Sequence, residues 1–120
     1  MDTADIISKI KNHKDSNRIG MIASHLGIVR GDSRKMKKEV KAVEVVYKRE
    51  IINEIIHEIK SMDGIIEVLV DINEGRLDVG DDLMFVAVGG DIRENVFPAL
   101  IKAVDLLKAR ACSKKEIFME

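Results

Sequence analysis

Cysteine is nearly absent from this sequence. Its one thiol, Cys112, leaves no partner for an internal disulfide, and a reducing compartment is the expected setting. Tryptophan is missing and aromatic residues amount to 3%, so the core must be built from Ile, Val, Leu and Met. No apolar run approaches the roughly 20 residues that span a bilayer, and the acidic, polar N-terminus has no signal-peptide core. A cytoplasmic protein without a membrane role is expected. Neither sign of charge dominates: the formal net charge of −1 argues against a dedicated binder of nucleic acid or anionic lipid. The three histidines, His13, His25 and His57, share no ligand spacing with one another or with Cys112, so neither a metal site nor a cofactor is expected. There is no G-x-S-x-G elbow and no P-loop.

What is present is ordinary for a globular chain: 46% hydrophobic and 34% charged residues over 120 positions. That length supports one domain, residues 1–120, with an N-terminal helical segment over 1–19 and the main body over 20–118. Ile6, Ile7 and Ile10 suggest a short helix, capped by Thr3 or Asp5 and ending near His13 to Asn17. Gly20 to Arg30 reads as a strand, broken or bulged at Gly27. Residues 31–41 hold Arg34, Lys35, Lys37, Lys38 and Lys41 and read as a mobile surface loop. Such a charge run is either simply solvated or an anion-binding loop for a phosphate or an acidic partner. The Arg30-Gly31-Asp32 tripeptide carries no weight.

Val40 to Tyr47 alternates as a strand. Ile51, Ile52, Ile55, Ile56, Ile59 and Met62 repeat at helical spacing, so Lys48 to Met62 is a helix that packs on a sheet, stopped by Asp63-Gly64. His57 falls on its charged side. Ile65 to Ile72 is a further strand, Asn73 to Asp82 is turn-like, and Leu83 to Gly89 is a buried strand. After Gly89-Gly90, Asp91 or Asn95 can cap a helix, with Glu94 completing a capping box with Asp91. Pro98 is tolerated if it lies in the first turn. At about 100° per residue, Phe97, Leu100, Ile101, Val104, Leu107 and Ala111 form one arc, and Lys108 falls inside it. Two readings of Lys108 follow: a lysine snorkelling from the last turn, or a partly desolvated amine fit for acid–base or nucleophilic chemistry. Ile117 and Phe118 suggest a last short strand. The fold class is α+β, with an antiparallel or mixed sheet and helices packed on one side.

Five stretches, in order and with similar gaps, resemble the molybdopterin synthase large (catalytic) subunit family. Gly20-Met-Ile-Ala-Ser-His-Leu-Gly-Ile-Val-Arg30 is similar to that family's G-A-x-x-x-F-x-G-x-V-R strand, and Gly75 to Asp82 to its G-x-L-x-x-G-[DE] turn. Phe85-Val-Ala-Val with Arg93 and Phe97, then Leu107-Lys108, then Lys114-Lys115-Glu116 supply the rest. The resemblance implies an α/β-hammerhead fold and a homodimer in which each copy binds a ubiquitin-like small subunit with a C-terminal Gly-Gly thiocarboxylate. It implies sulfur transfer to cyclic pyranopterin monophosphate, a phosphorylated pterin. Lys108 would be the catalytic lysine, and Lys115, or Lys114 if one residue is deleted, the second. Arg30 and Arg93 would hold the phosphate or the partner's tail, with Arg34 and Lys114 as further substrate contacts. The family's two His-Arg pairs are here Ile72-Asn73 and Ile92-Arg93, and Ala111-Cys112-Ser113 replaces its Pro and Trp. A non-catalytic paralogue that only binds the small partner's tail is the alternative.

Overall fold

A computed structural model describes residues 1–120. The N-terminal helix α1 spans Thr3–Lys11. Its cap is Asp2 rather than Thr3 or Asp5: the Asp2 carboxylate accepts from the Asp5 backbone N–H at 3.0 Å. A 3-10 turn, Ser16–Arg18, leads into β1, Met21–Ile28, and β2 follows at Val40–Tyr47. Helix α2, Arg49–Lys60, buries Ile52, Ile55 and Ile59, as its spacing predicts, and leaves His57 exposed. Gly64 ends the following turn at φ +75, where an L side chain is strained. Strand β3, Ile65–Ile72, then β4, Gly75–Asp78, and β5, Asp82–Gly90, precede α3, Arg93–Leu106. A π turn, Leu107–Ala111, joins α3 to the last strand, β6, Cys112–Phe118.

The strands form two three-stranded sheets, ordered β1-β5-β3 and β4-β2-β6, with every pairing antiparallel. The fold is α+β, as expected. In the first sheet β5 is central, and its alternating side chains divide the core. Met84, Val86 and Val88 face α2 and α3, together with Val68, Ile55, Ile59 and Leu107. Phe85 and Ala87 face Ile6 and Ile10 of α1. The two longer helices therefore share one side, and the short N-terminal helix covers the other, a departure from one-sided packing. The reason is β5 itself: it is buried from Met84 to Gly90, so both of its faces need a cover.

Four local expectations are corrected. The turn-like stretch from Asn73 to Asp82 contains β4, which adds an edge to β2 through the Val43–Leu77 and Val45–Gly75 pairs. The final strand takes in the whole lysine tail rather than Ile117 and Phe118 alone. The capping box at α3 is not formed: Ile92 is the N-cap, Asp91 receives hydrogen bonds from the Ile92 N–H and the Asn95 amide, and Glu94 turns to Arg93. Pro98 is the sixth helical residue, beyond the first turn, and its exposed position leaves the Glu94 carbonyl open to water.

The buried arc of α3 is also rotated from the one expected. Val96, Ala99, Ala103, Val104, Leu107 and Ala111 are buried, whereas Phe97 and Ile101 are 50% and 62% exposed and Lys108 is exposed beside them. Hydropathy favoured the largest apolar residues, but close packing on the sheet selected the alanines, whose short side chains let α3 approach β5 and β1. At this approach Gly90 has no room for a side chain: a Cβ there would meet Val96 Cγ2 at 2.8 Å.

Candidate active site

The order of elements sorts the candidate residues to two ends of the first sheet. Gly90 at the end of β5 pairs with Met21 at the start of β1, and α3 begins three residues later, so Arg93 sits at that end. There it is exposed and lies 3.6 Å from Glu94. Lys108 lies fifteen residues further along α3 and its π turn, roughly 22 Å away at 1.5 Å per residue. Helix α3 runs back along β5 toward the end where β1 finishes and Arg30 follows. Lys108 and Arg30 therefore share one end of the sheet, and Arg93 of the same chain is at the other.

The π turn is a local signature in its own right. Such turns widen the helix by one residue and concentrate at functional sites. Here the turn buries Leu107 and Ala111 and directs Lys108 and Arg110 outward. Arg110 reaches Glu54 and Glu58 on α2 at 3.8 and 3.9 Å, and Lys102 reaches Glu58 at 3.4 Å, so the neighbouring cations are engaged. The Ala111 carbonyl accepts from the Lys48 N–H at 2.9 Å, which fixes where β6 starts.

Facing this end, His25 projects from β1 on the same side as the buried Ala23, toward α3. Its Nδ1 is buried and has no hydrogen-bond partner. Burial, and then the positive charge of Lys108, hold its pKa below the usual 6.5. Sequence reasoning set His25 aside because it shares no spacing with a metal ligand. Only the fold brings it near Lys108.

The basic segment between β1 and β2 is not a loose loop. Asp32 and Glu39 bridge, Val40 N–H donates to the Gly31 carbonyl, and Ser33 exchanges main-chain bonds with Lys37 and Lys38. Lys37 takes the left-handed conformation at φ 52 to close the turn. The Ser33 hydroxyl, 3% exposed, donates to Glu116 Oε1 at 2.9 Å and accepts from the Met36 N–H at 3.2 Å. Lys38 lies over the Phe118 ring, 5.6 Å from its centroid. These bonds strap the basic segment to β6. They frame an open cavity of about 460 Å³ lined by Arg30, Arg34, Lys37 and Lys38, with Asp32, Ser33 and Glu39. Four cations against two carboxylates give it a positive interior. The candidates Arg30 and Arg34 are thus brought together, and Lys37 and Lys38 join them.

The two tail lysines point apart. Residues directly opposite in a ladder share a face, so Lys115, opposite Glu44, belongs to the exposed face, where Arg76 flanks Glu44 from β4. Lys114 is opposite the buried Val45. Cys112, half-buried, lies opposite Tyr47, whose hydroxyl is pushed well above its ordinary range by burial and then by the Cys112 thiol.

The comparisons with known proteins agree with this architecture. The chain matches the MoaE protein family model over residues 1–110, a span that contains Lys108 and stops short of Lys114 and Lys115. Among solved structures, molybdopterin cofactor biosynthesis protein E from Burkholderia multivorans superposes with a TM-score of 0.78 at 22% identity, over 99% of this chain and 81% of that one. A molybdopterin synthase structure from Staphylococcus aureus gives 0.73 at 19% identity, covering 90% and 86%. A complex of subunits 1 and 2 of the molybdopterin-converting factor from Helicobacter pylori gives 0.71 at 16% identity, covering 100% and 85%. No curated protein matches the sequence. Similarity at these identities establishes a shared fold, while the family match spans nearly the whole chain. The protein belongs to the MoaE family, the large subunits of molybdopterin synthase.

Proposed function

We propose that this chain is the catalytic subunit of a molybdopterin synthase, moving sulfur from the thiocarboxylated C-terminal Gly-Gly of a ubiquitin-like small subunit to cyclic pyranopterin monophosphate. The observation that carries the reading is the family match over residues 1–110, supported by the cationic cavity that Arg30 and Arg34 line. The substrate is an anion and the sulfur donor is an anion, so a site for both needs fixed positive charge. Arginines supply it with a planar fork suited to phosphate oxygens. The cavity volume falls in the range of small-molecule sites.

Within this reading Lys108 stands beside the thiocarboxylate. Once the sulfur has bonded to the pterin, Lys108 offsets the charge that develops on the carbonyl oxygen as water adds to the carbonyl carbon. The carbon–sulfur bond then breaks, leaving sulfur on the pterin and a carboxylate on the small subunit. Lys115 is the second working lysine, and Lys114 with Arg34 contacts the substrate. Arg93 lies too far along α3 to reach the Lys108 of its own chain, so its contribution to a pterin site comes from a second copy. That geometry favours a homodimer which, with two small subunits, forms a heterotetramer. The H. pylori complex supports a small-subunit partner for this chain as well.

The decisive assay mixes the protein with a thiocarboxylated small subunit and cyclic pyranopterin monophosphate and measures molybdopterin. Product is expected from the unaltered chain, and its loss from Lys108→Ala without a change in thermal unfolding. Full turnover by that variant would refute the role given to Lys108. Binding of the small subunit with no turnover by the unaltered chain would identify a docking paralogue instead.

A further inference from the structure

The chain buries almost no polar side chain. Tyr47 aside, Ser33 is the one hydroxyl, amide, imidazole or charged residue that is buried, at 3% exposure. It sits in a segment with no apolar reason to be ordered, since every other residue from Gly31 to Glu39 is exposed. Arg34, Lys35, Lys37 and Lys38 fall close together there, so repulsion between like charges opposes the closed turn as well. A buried hydroxyl persists where its bonds are satisfied. Ser33 gives its proton to Glu116 Oε1 at 2.9 Å, a charge-assisted bond, and accepts from the Met36 N–H at 3.2 Å. The register of β6 says where this places the turn. Lys114 and Glu116 lie opposite Val45 and Val43 and share one face of the strand, whereas Lys115, opposite Glu44, is on the other. The cationic turn is therefore tied to the Lys114 face.

We propose that Ser33 is a positioning residue for the cationic cavity: its hydroxyl latches the turn to Glu116 and so presents Arg34, Lys37 and Lys38 as a preformed cradle for a phosphate-type oxyanion over the Lys114 face of β6. A loose segment would have to be ordered by the ligand itself, and the entropy of ordering would be lost from the affinity. The latch meets that cost during folding. The other ties hold only the base of the turn. They are the Ser33 N–H to the Lys38 carbonyl at 2.8 Å, the Lys37 N–H to the Ser33 carbonyl at 3.1 Å, the Met119 N–H to the Glu39 carbonyl at 3.0 Å, and Lys38 over the Phe118 ring. The hydroxyl supplies the hydrogen bond that reaches the tip, residues 34–36, through the Met36 N–H. Its removal frees Arg34 while leaving every cation in the sequence.

The consequence for turnover rests on the activity proposed above, whereas the latch and its cradle do not, and two measurements separate them. The first titrates inorganic phosphate, at constant ionic strength, into the unaltered chain, Ser33→Ala and Ser33→Thr. NMR follows the side-chain N–H signals of Arg30 and Arg34, and hydrogen exchange of the Met36 amide is read in the same samples. Ser33→Ala is expected to weaken phosphate binding about tenfold, as the loss of one hydrogen bond to a charged group would, and to speed Met36 exchange. Thr keeps the hydroxyl and restores both. Unaltered phosphate affinity in Ser33→Ala, or no phosphate binding by the unaltered chain, overturns the proposal. If Ser33→Ala does not fold, Glu116→Ala, which frees the same hydroxyl from β6, carries the same expectation. The second measurement is KM against kcat in sulfur transfer. Ser33→Ala is expected to raise KM for the phosphorylated pterin by a similar factor and to leave kcat little changed. A fall in kcat at constant KM overturns the positioning role. Absence of sulfur transfer by the unaltered chain, with a phosphate affinity that depends on Ser33, would instead refute the activity proposed above and leave the cradle standing.

Discussion

The two sheets of this molecule each have three strands and are put to opposite uses. In β1-β5-β3 the central strand is buried on both faces and carries no charged side chain between Leu83 and Gly90. In β4-β2-β6 the central strand keeps one face open, with Glu44 set between Arg76 and Lys115 and Val46 61% exposed beside them. The first sheet is a scaffold clamped between helices. The second is a thin platform that holds β6 and its lysines and anchors the basic segment through Ser33. Positioning is the work of the buried sheet, and the residues proposed for the chemistry lie along its end and on the platform beside it.

Substitutions can break this contrast. The largest stability loss is expected from the clamped sheet: Ile59→Ala, fully buried under β5, should cost about 2–5 kcal/mol in chemical denaturation. Gly90→Ala should follow at about 1–3 kcal/mol, because its Cβ has no room between Val96 and the Gly64 carbonyl. Ser33→Ala should cost about 1–2 kcal/mol and speed proteolysis within the basic segment, since the part-buried Glu116 carboxylate and the Met36 N–H lose their partner. Lys115→Ala on the open face should change stability by no more than about 0.5 kcal/mol, while sulfur transfer falls sharply. A stability loss there as large as that of Ile59→Ala would end the distinction between scaffold and platform.

The smallest effect concerns acid. Hydrogen bonds from Asn95 and from the Ile92 N–H hold the Asp91 carboxyl below its ordinary value. A group with a depressed folded pKa stabilises above its unfolded pKa, and the benefit is lost as pH falls through the folded value. Asp91→Asn should therefore flatten the dependence of melting temperature on pH below about 4 and leave it unaltered at neutral pH. His25 acts in the same direction at higher pH: its folded pKa is also depressed, so protonation below about 6.5 opposes folding.

Much of the scaffold was legible in the chain. Val40–Tyr47 and Ile65–Ile72 emerged with the bounds their patterns gave, the bulge in β1 falls at Gly27, and α2 buries the isoleucines its spacing aligned. Those features are local, and period-2 or period-3.6 burial is written residue by residue. The reading of α3 failed in its rotation, because the sum of hydropathies cannot register that Ala99 and Ala103 bring the helix closer than Phe97 and Ile101 allow. The basic segment was read as mobile because its charges are visible in sequence. The bonds that order it, Ser33 to Glu116 and Met119 to Glu39, join residues about eighty positions apart.

By itself, then, the sequence determined most of the elements (though not β4), the α+β class, and the family to which five short stretches pointed. Tertiary structure decided what those elements do for one another. It put α1 on the far face of β5 and sent Arg93 and Lys108 to opposite ends of one helix. It also turned Lys114 and Lys115 to opposite faces of one strand and set the unpartnered His25 ring near the charge of Lys108. The physical reason is one of range: backbone preference and amphipathic period act over a few residues, whereas burial, charge proximity and ladder register depend on which distant segments close-packing brings together.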